Sequence, residues 1–123
     1  MDVVRILLVD DQAAYLRAMF SVVKEAPGFV VVGEAMSGEE AIVLAARVVP
    51  DLVLMDVNLP GIDGVQATRL LRAGDYPPVV LLLSTYDEDV GWQFVAESGA
   101  AAYMTKSAFG PDLLLDFWLA TVG

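Results

Sequence analysis

The stretch Asp51-Leu-Val-Leu-Met-Asp56-Val-Asn-Leu-Pro60-Gly61-Ile-Asp63-Gly64 joins a short apolar run to an acidic residue and then to two turn signals. The run Leu52–Met55 is apolar at every position, which is typical of a strand that is buried on both faces. Pro60-Gly61 and Asp63-Gly64 favour turns whatever the function. This stretch therefore predicts a buried parallel strand that ends at an acidic side chain, Asp56.

Four further apolar runs recur at fairly even spacing, and helical patterns lie between them. The runs are Ile6–Val9, Phe29–Val32, Val79–Leu83 and Ala101–Met104. The helical patterns are Gln12–Glu25, a segment that begins at Ser37, Gly64–Arg72, Asp87–Ser98 and Pro111–Thr121. Strict alternation of strand and helix predicts an α/β fold with a doubly wound, five-stranded parallel sheet. The length of 123 residues suits a single domain spanning residues 1–123.

Two of the helical patterns make finer predictions. In the first, Leu16, Phe20 and Val23 fall on one face, which we expect to be buried. In the second, Ser37 is followed three positions later by Glu40, which predicts a reciprocal capping box at the start of the helix.

Composition excludes several classes of function. There are 17 acidic and 7 basic residues, a net charge of −10, so direct binding to nucleic acid or to anionic membranes is disfavoured. The chain has no cysteine and no histidine, which excludes thiolate and imidazole metal ligands and histidine acid–base catalysis. A bound metal would be a hard, oxygen-ligated cation such as Mg²⁺. No signal peptide or membrane-spanning run is evident, and we expect a soluble cytoplasmic protein.

Polar residues follow four of the five predicted strands. They are Asp10, Asp11, Asp56, Ser84 and Lys106. In a doubly wound sheet the functional crevice lies beyond the carboxyl ends of the strands, so these side chains would gather there. One close pair of like charges costs about 4 kcal/mol at an effective dielectric constant near 20, so three carboxylates call for protonation or a cation among them. The cluster predicts a metal site and a candidate phosphoryl-transfer site.

The order of elements and these five residues resemble the CheY-like, flavodoxin-like receiver family over essentially the whole chain. The stretch from Asp51 to Gly64 resembles that family's phosphorylation loop. Gly99-Ala-Ala-Ala-Tyr103-Met-Thr-Lys106 resembles its final strand. The resemblance implies a receiver of a two-component response regulator, which accepts a phosphoryl group from a histidine kinase or a histidine phosphotransfer protein.

By the same resemblance, each polar residue has an implied role. Asp56 would be the phosphoacceptor. Asp11 and Asp56 would bind Mg²⁺ directly, together with the backbone carbonyl of Asn58, and Asp10 would help through a water molecule. The chain would catalyse only its own phosphorylation and dephosphorylation.

Three residues would act on the attached phosphoryl group or respond to it. Lys106 would pair first with Asp56 and then with a phosphate oxygen. Ser84 would hydrogen-bond another phosphate oxygen, and Tyr103 would be the switch aromatic that turns inward as Ser84 moves. Asn58 and Tyr86 occupy positions that the family links to phosphoryl lifetime, and Tyr86 could shield the acyl phosphate from water.

The last helical pattern indicates a partner. Its apolar residues cover an arc of ~240°, whereas a helix that docks on its own sheet needs little more than 100°. They are Leu113, Leu114, Leu115, Phe117, Trp118, Leu119 and Val122. We expect a second contact, with a homodimer partner, an output domain or another protein. Lys106-Ser107 and Ser84-Thr85-Tyr86-Asp87 most resemble receivers with a LuxR-type helix-turn-helix output. The resemblance leaves two alternatives, a stand-alone receiver or a receiver followed by a C-terminal DNA-binding domain outside this chain, and it favours the second.

Two alternatives compete with this interpretation. A phosphatase of the haloacid dehalogenase type also uses a nucleophilic aspartate and Mg²⁺, but it needs a second aspartate two positions later, where this chain has Asn58. A degenerate receiver would serve only as a protein-binding module, and the complete acidic cluster argues against it.

Overall fold

The computed structural model describes residues 2–123, in which five strands alternate with five helices. The strands are β1 (Val4–Val9), β2 (Phe29–Ala35), β3 (Leu52–Asp56), β4 (Val79–Ser84) and β5 (Ala102–Thr105). The helices are α1 (Ala13–Glu25), α2 (Gly38–Val48), α3 (Gly64–Arg72), α4 (Glu88–Ser98) and α5 (Pro111–Val122).

The strands form one sheet in the order β2-β1-β3-β4-β5, and every neighbouring pair is parallel. The predicted doubly wound parallel sheet is therefore confirmed. The chain moves outward in one direction from β1 and in the other from β3, so the switch in strand order lies between these two strands. Their carboxyl ends flank the crevice in which such sheets place their functional groups.

Two hydrophobic layers cover the sheet. One layer packs α1 and α5 against alternate residues such as Ile6, Leu54 and Leu81. The other packs α2, α3 and α4 against the intervening residues, including Leu7 and Val53. All five residues of β3 are buried, which explains why its sequence is apolar at each position up to Asp56.

Several local predictions need correction. Phe20 is 43% exposed, and Met19 takes its expected place beside Leu16 and Val23, because the buried stripe of α1 follows the i, i+3, i+7 positions. Ser37 Oγ accepts a bond from Glu40 N at 3.1 Å, but a full reciprocal capping box occurs at Asp63 and Gln66, at the start of α3.

The second strand is longer than its apolar run. It continues to Ala35 because it pairs with β1 as far as Val9, through Gly33 and the exposed Glu34. Sheet pairing, rather than local apolarity, therefore sets the end of this edge strand.

Candidate functional site

The site lies at the carboxyl ends of the two central strands. Asp10 directly follows β1 and Asp56 ends β3, and these strands pair in parallel up to Val9 and Met55. The chain after Asp56 turns tightly back on itself, and Gly64 N donates to Val57 O at 2.8 Å. A Cβ atom at Gly64 would collide with the carbonyl oxygen of Asp56, so this close return requires glycine.

Three carboxylates meet in the crevice. Asp10, Asp11 and Asp56 each offer an oxygen atom that lies within 4.8 Å of the others. Asp10 is fully buried, Asp56 is 4% exposed and Asp11 faces solvent. The side chains of Asn58, Ser84 and Lys106 join Asp11 and Asp56 around an open cavity of about 220 Å³.

Lys106 supplies the positive charge of the site. Its Nζ lies 2.8 Å from Asp10 Oδ2 and 3.6 Å from Asp56 Oδ2. The resemblance implied a pairing with Asp56, and in this structure the shorter ion pair is with Asp10. Lys106 N also donates to Ser84 O at 2.8 Å, which ties the segment after β5 to the end of β4.

Asp56 is held in an environment that disfavours its charge. Burial first, and then the neighbouring Asp10 carboxylate, raise the pKa of Asp56 to about 6, although Lys106 acts in the opposite direction. Within residues 2–123, Asp56 Oδ1 is buried and has no hydrogen-bond partner. An uncompensated buried carboxylate oxygen is costly, and a cation or an incoming donor group would relieve that cost.

The two carboxylate oxygens of Asp10 make different contacts. Asp10 Oδ1 accepts from Gln12 N at 2.8 Å. Its other oxygen, Oδ2, points into the cluster and meets the Lys106 ammonium there. One oxygen thus bonds to the backbone of the residue that precedes α1, and the other belongs to the site.

The donor set fits a hard divalent cation. Three carboxylates within 4.8 Å of one another, one with a buried unpartnered oxygen, offer the oxygen ligands that Mg²⁺ prefers. The acidic cluster is therefore compatible with the magnesium site that the sequence predicts.

A hydrogen-bonded chain of side chains borders the cavity. Tyr86 Oη donates to Asn58 Oδ1 at 2.9 Å, and Asn58 Nδ2 donates to Ser84 Oγ at 3.5 Å. Ser84 is buried at the end of β4, whereas Tyr86 is 37% exposed and packs edge-on against Phe94 at 5.4 Å. The Tyr86 ring thus lies at the rim of the site, tethered to the residue two positions after Asp56.

Tyr103 is buried between β5 and α4. Its side chain is 5% exposed, and its hydroxyl donates to Tyr86 O at 2.7 Å. Burial is the main reason that the pKa of Tyr103 is raised above its ordinary value. The side chain of Tyr103 therefore has the inward position that the resemblance links to the switch aromatic, and its switch role stays a prediction.

Sequence reasoning missed one residue at the site, Tyr15. Its ring centroid lies 4.3 Å from Lys106 Nζ, and its hydroxyl donates to Lys106 O at 3.2 Å. The two residues are 91 positions apart. The position of Tyr15 in the first turn of α1, just after the acidic pair, was the only signal that could have drawn attention to it.

Comparison with known proteins identifies the class. Residues 6–117 match the response regulator receiver domain family, and the chain belongs to that family. It is a receiver domain of the kind found in two-component response regulators. This result excludes the haloacid dehalogenase alternative, which the asparagine at position 58 had already disfavoured.

Particular relatives are similar along most of the chain. Response regulator GacA of Pseudomonas viridiflava is 39% identical over 105 residues, which cover 85% of this chain and 49% of that protein. Protein-glutamate methylesterase/protein-glutamine glutaminase 2 of Methanospirillum hungatei is 37% identical over 113 residues, which cover 89% and 32%. The chain thus spans 32–49% of the length of these curated relatives.

A solved structure shows the same likeness. The LuxR-family two-component response regulator from Aurantimonas sp. SI85-9A1 superposes with a TM-score of 0.86 and 34% identity, over 97% of this chain and 84% of that one. Among residues 2–123, every helix is too short or too polar to cross a lipid bilayer.

Proposed function

We propose that Asp56 accepts a phosphoryl group from a histidine kinase or a histidine phosphotransfer protein. The observation that supports this most is the buried carboxylate of Asp56, whose Oδ1 has no partner among the described residues, beside two further carboxylates and one lysine. A carboxylate in that state can act as a nucleophile, and the attached phosphoryl group would provide its oxygen with a partner.

The same carboxylates would hold Mg²⁺. Asp11 and Asp56 are its direct ligands in this proposal, the backbone carbonyl of Asn58 is a third, and Asp10 acts through water. When bound, the ion neutralises negative charge on the transferring group. Asp10, fully buried and paired with Lys106, is suited to an outer position rather than to direct ligation.

The transfer needs little else from the chain. A carboxylate oxygen of Asp56 bonds to phosphorus as the bond from phosphorus to the donor nitrogen breaks, and the donor imidazole leaves with the electron pair. Lys106 then moves from its carboxylate partners to a phosphate oxygen, and Ser84 Oγ donates to another. The chain is regulatory and catalyses only its own phosphorylation and dephosphorylation.

Ser84 and Tyr103 would couple phosphorylation to a change of conformation. The modification adds a charge of about −1.5 to −2 at one point. Ser84 and Lys106 can contact the phosphate oxygens only in the modified state, so these contacts stabilise that state alone. Tyr103 is linked to this region through its bond to Tyr86 O, two residues after Ser84. The energy of the new contacts therefore biases the arrangement of β4, α4 and β5.

Partners lie outside the acidic site. The apolar surface of α5 includes Leu113, Leu119 and Val122, which are 42%, 56% and 51% exposed, and it suits a homodimer contact. The likeness to GacA and to a LuxR-family regulator supports a DNA-binding output domain in the whole cytoplasmic protein. With a net charge of −10, the receiver itself is not the part that would contact DNA.

The test is uptake of phosphoryl from a small donor such as phosphoramidate or acetyl phosphate in Mg²⁺. We expect an intact-mass increase of one phosphoryl group that hydroxylamine reverses, and no increase for Asp56→Asn. Beryllofluoride with Mg²⁺ should bind the wild type and change its tryptophan fluorescence or oligomeric state. Equal labelling of both proteins would refute Asp56 as the acceptor, and failure of both reagents would favour a degenerate receiver.

A further inference from the structure

We propose that Tyr15 is a positioning residue for Lys106, which holds the lysine ammonium over the acidic cluster from both the side-chain and the backbone end. This inference rests on the proposed role of Lys106 in phosphoryl acceptance. It concerns a residue of α1 that lies outside the set of polar residues at the strand ends.

The two contacts of Tyr15 act on different parts of Lys106. The Lys106 ammonium lies 4.3 Å from the centroid of the Tyr15 ring, within the range of a cation–π interaction. At the other end, Tyr15 Oη donates to Lys106 O at 3.2 Å. A single side chain thus contacts both the charged tip and the main chain of the same lysine.

The remaining contacts of Lys106 show what the two contacts with Tyr15 add. Its backbone N–H is fixed on Ser84 O at 2.8 Å, and its ammonium faces Asp10 and Asp56 at 2.8 and 3.6 Å. The lysine side chain is only 14% exposed. A lysine stem is long and has many rotamers, and a ring in contact with the ammonium favours the rotamers that keep it near the carboxylates.

The environment of Tyr15 also favours the protonated hydroxyl that donates to Lys106 O. Burial first, and then the charges of Asp10 and Asp56, raise the pKa of Tyr15 to about 12. A tyrosine with its ordinary pKa of 10.0 is already neutral at physiological pH, and the raised pKa extends the range in which the hydroxyl can donate to the Lys106 carbonyl. A phenolate would lose that donor.

The competing explanation is that Tyr15 only fills space beside the core. It is half-buried and packs against the hydrophobic layer beneath α1. Both explanations predict some loss of stability when the ring is removed. Only positioning predicts that the functional effect of Tyr15 depends on the presence of Lys106, so the test must measure that dependence.

The first measurement needs neither metal nor phosphoryl transfer. In the metal-free protein, a ring over the end of Lys106 should displace the NMR resonances of its ε-methylene group upfield. We expect the displacement in the wild type and in Tyr15→Phe, and its loss in Tyr15→Leu. Tyr76→Leu is the matched control, because Tyr76 is 78% exposed and lies in the α3–β4 connection. Unshifted Lys106 resonances in the wild type would overturn the proposal.

The second measurement is the rate of phosphoryl uptake from phosphoramidate in Mg²⁺. We expect Tyr15→Leu to slow uptake about tenfold and Tyr15→Phe to retain most of the rate, because the ring contact is kept. In the Lys106→Met background, Tyr15→Leu should cause no further loss. An equal loss in both backgrounds would show that Tyr15 acts through general packing. If the wild type itself takes up no phosphoryl group, the proposed function fails, while the resonance test still decides the position of Lys106.

Discussion

The aromatic ring of Tyr103 lies directly against the backbone of Gly91, and no space for a Cβ atom separates them. Gly91 is a buried residue of α4, and Tyr103 is a buried residue of the edge strand β5. A glycine inside a helix costs about 1 kcal/mol relative to alanine. In this chain, the missing side chain at Gly91 leaves room for the Tyr103 ring to lie inward, where its hydroxyl donates to Tyr86 O.

Gly91→Ala should therefore displace the ring, although alanine is the better helix former. We expect a net destabilisation of about 1–3 kcal/mol, because an inserted methyl group would overfill a packed contact. Urea unfolding of Gly91→Ala, Tyr103→Ala and the double variant would measure the coupling between the two positions. The loss from Gly91→Ala should disappear when Tyr103 is alanine, and additive losses would contradict this account.

The raised pKa of Asp56 predicts an unusual pH dependence of stability. Between the ordinary pKa of 3.8 and the folded-state pKa of about 6, the folded protein binds more protons at this residue than the unfolded chain. The contribution of Asp56 to the free energy of unfolding therefore falls as pH rises through this interval, and above it the buried charge opposes folding.

Asp56→Asn should consequently stabilise the metal-free protein at pH 7, by about 2 kcal/mol. The gain should shrink as pH falls from about 6 to about 4, because the Asp56 carboxyl of the wild type then becomes neutral in the folded and in the unfolded protein. Urea denaturation in the presence of a chelator measures the difference. Asp75→Asn, at an exposed loop position, controls for the change in net charge. A gain that is the same at every pH would contradict the assigned cause.

Much of the fold could be predicted because its buried strands have a simple signature. Strands covered on both faces need apolar side chains at successive positions, so β3 and β4 stand out in the sequence. The rule for parallel sheets then places Asp10 and Asp56 at one edge. Their proximity was predictable on these grounds, and their chemical roles stay predictions that rest on the family resemblance.

The contacts that the sequence left undetermined join residues far apart in the chain. No periodicity relates Tyr15 to Lys106, or shows that the lysine lies nearer to Asp10 than to Asp56. The sequence also did not predict the backbone conformation of Val49. This β-branched residue ends α2 in the left-handed region with φ of 45°, where glycine or asparagine is usual. Tertiary packing decides such features, and it outweighs local preference.

Tyr86 should control the lifetime of the acyl phosphate. Its ring lies at the rim of the cavity, held by Asn58 on one side and by Phe94 on the other. We expect Tyr86→Ala to speed dephosphorylation about fivefold by admitting water to the acyl bond, and Tyr86→Phe to have a smaller effect. Decay of the purified phosphoprotein measures the rate, with Tyr76→Ala as the control. An unchanged decay rate for Tyr86→Ala would remove the support for shielding.

The exposed apolar surface of α5 gives the last prediction, which concerns self-association. Leu119 is 56% exposed on α5, whereas Leu70 is 55% exposed on α3, on the opposite face of the sheet. Equal exposure makes the two leucines a matched pair, because a glutamate at either position adds the same charge at a similar cost in stability. If α5 forms the dimer contact, Leu119→Glu should keep the 13.2 kDa chain monomeric in sedimentation, and Leu70→Glu should leave dimerisation intact. Measurements with and without beryllofluoride would reveal any dependence on phosphorylation, and a wild type that stays monomeric at high concentration in both states would exclude this dimer.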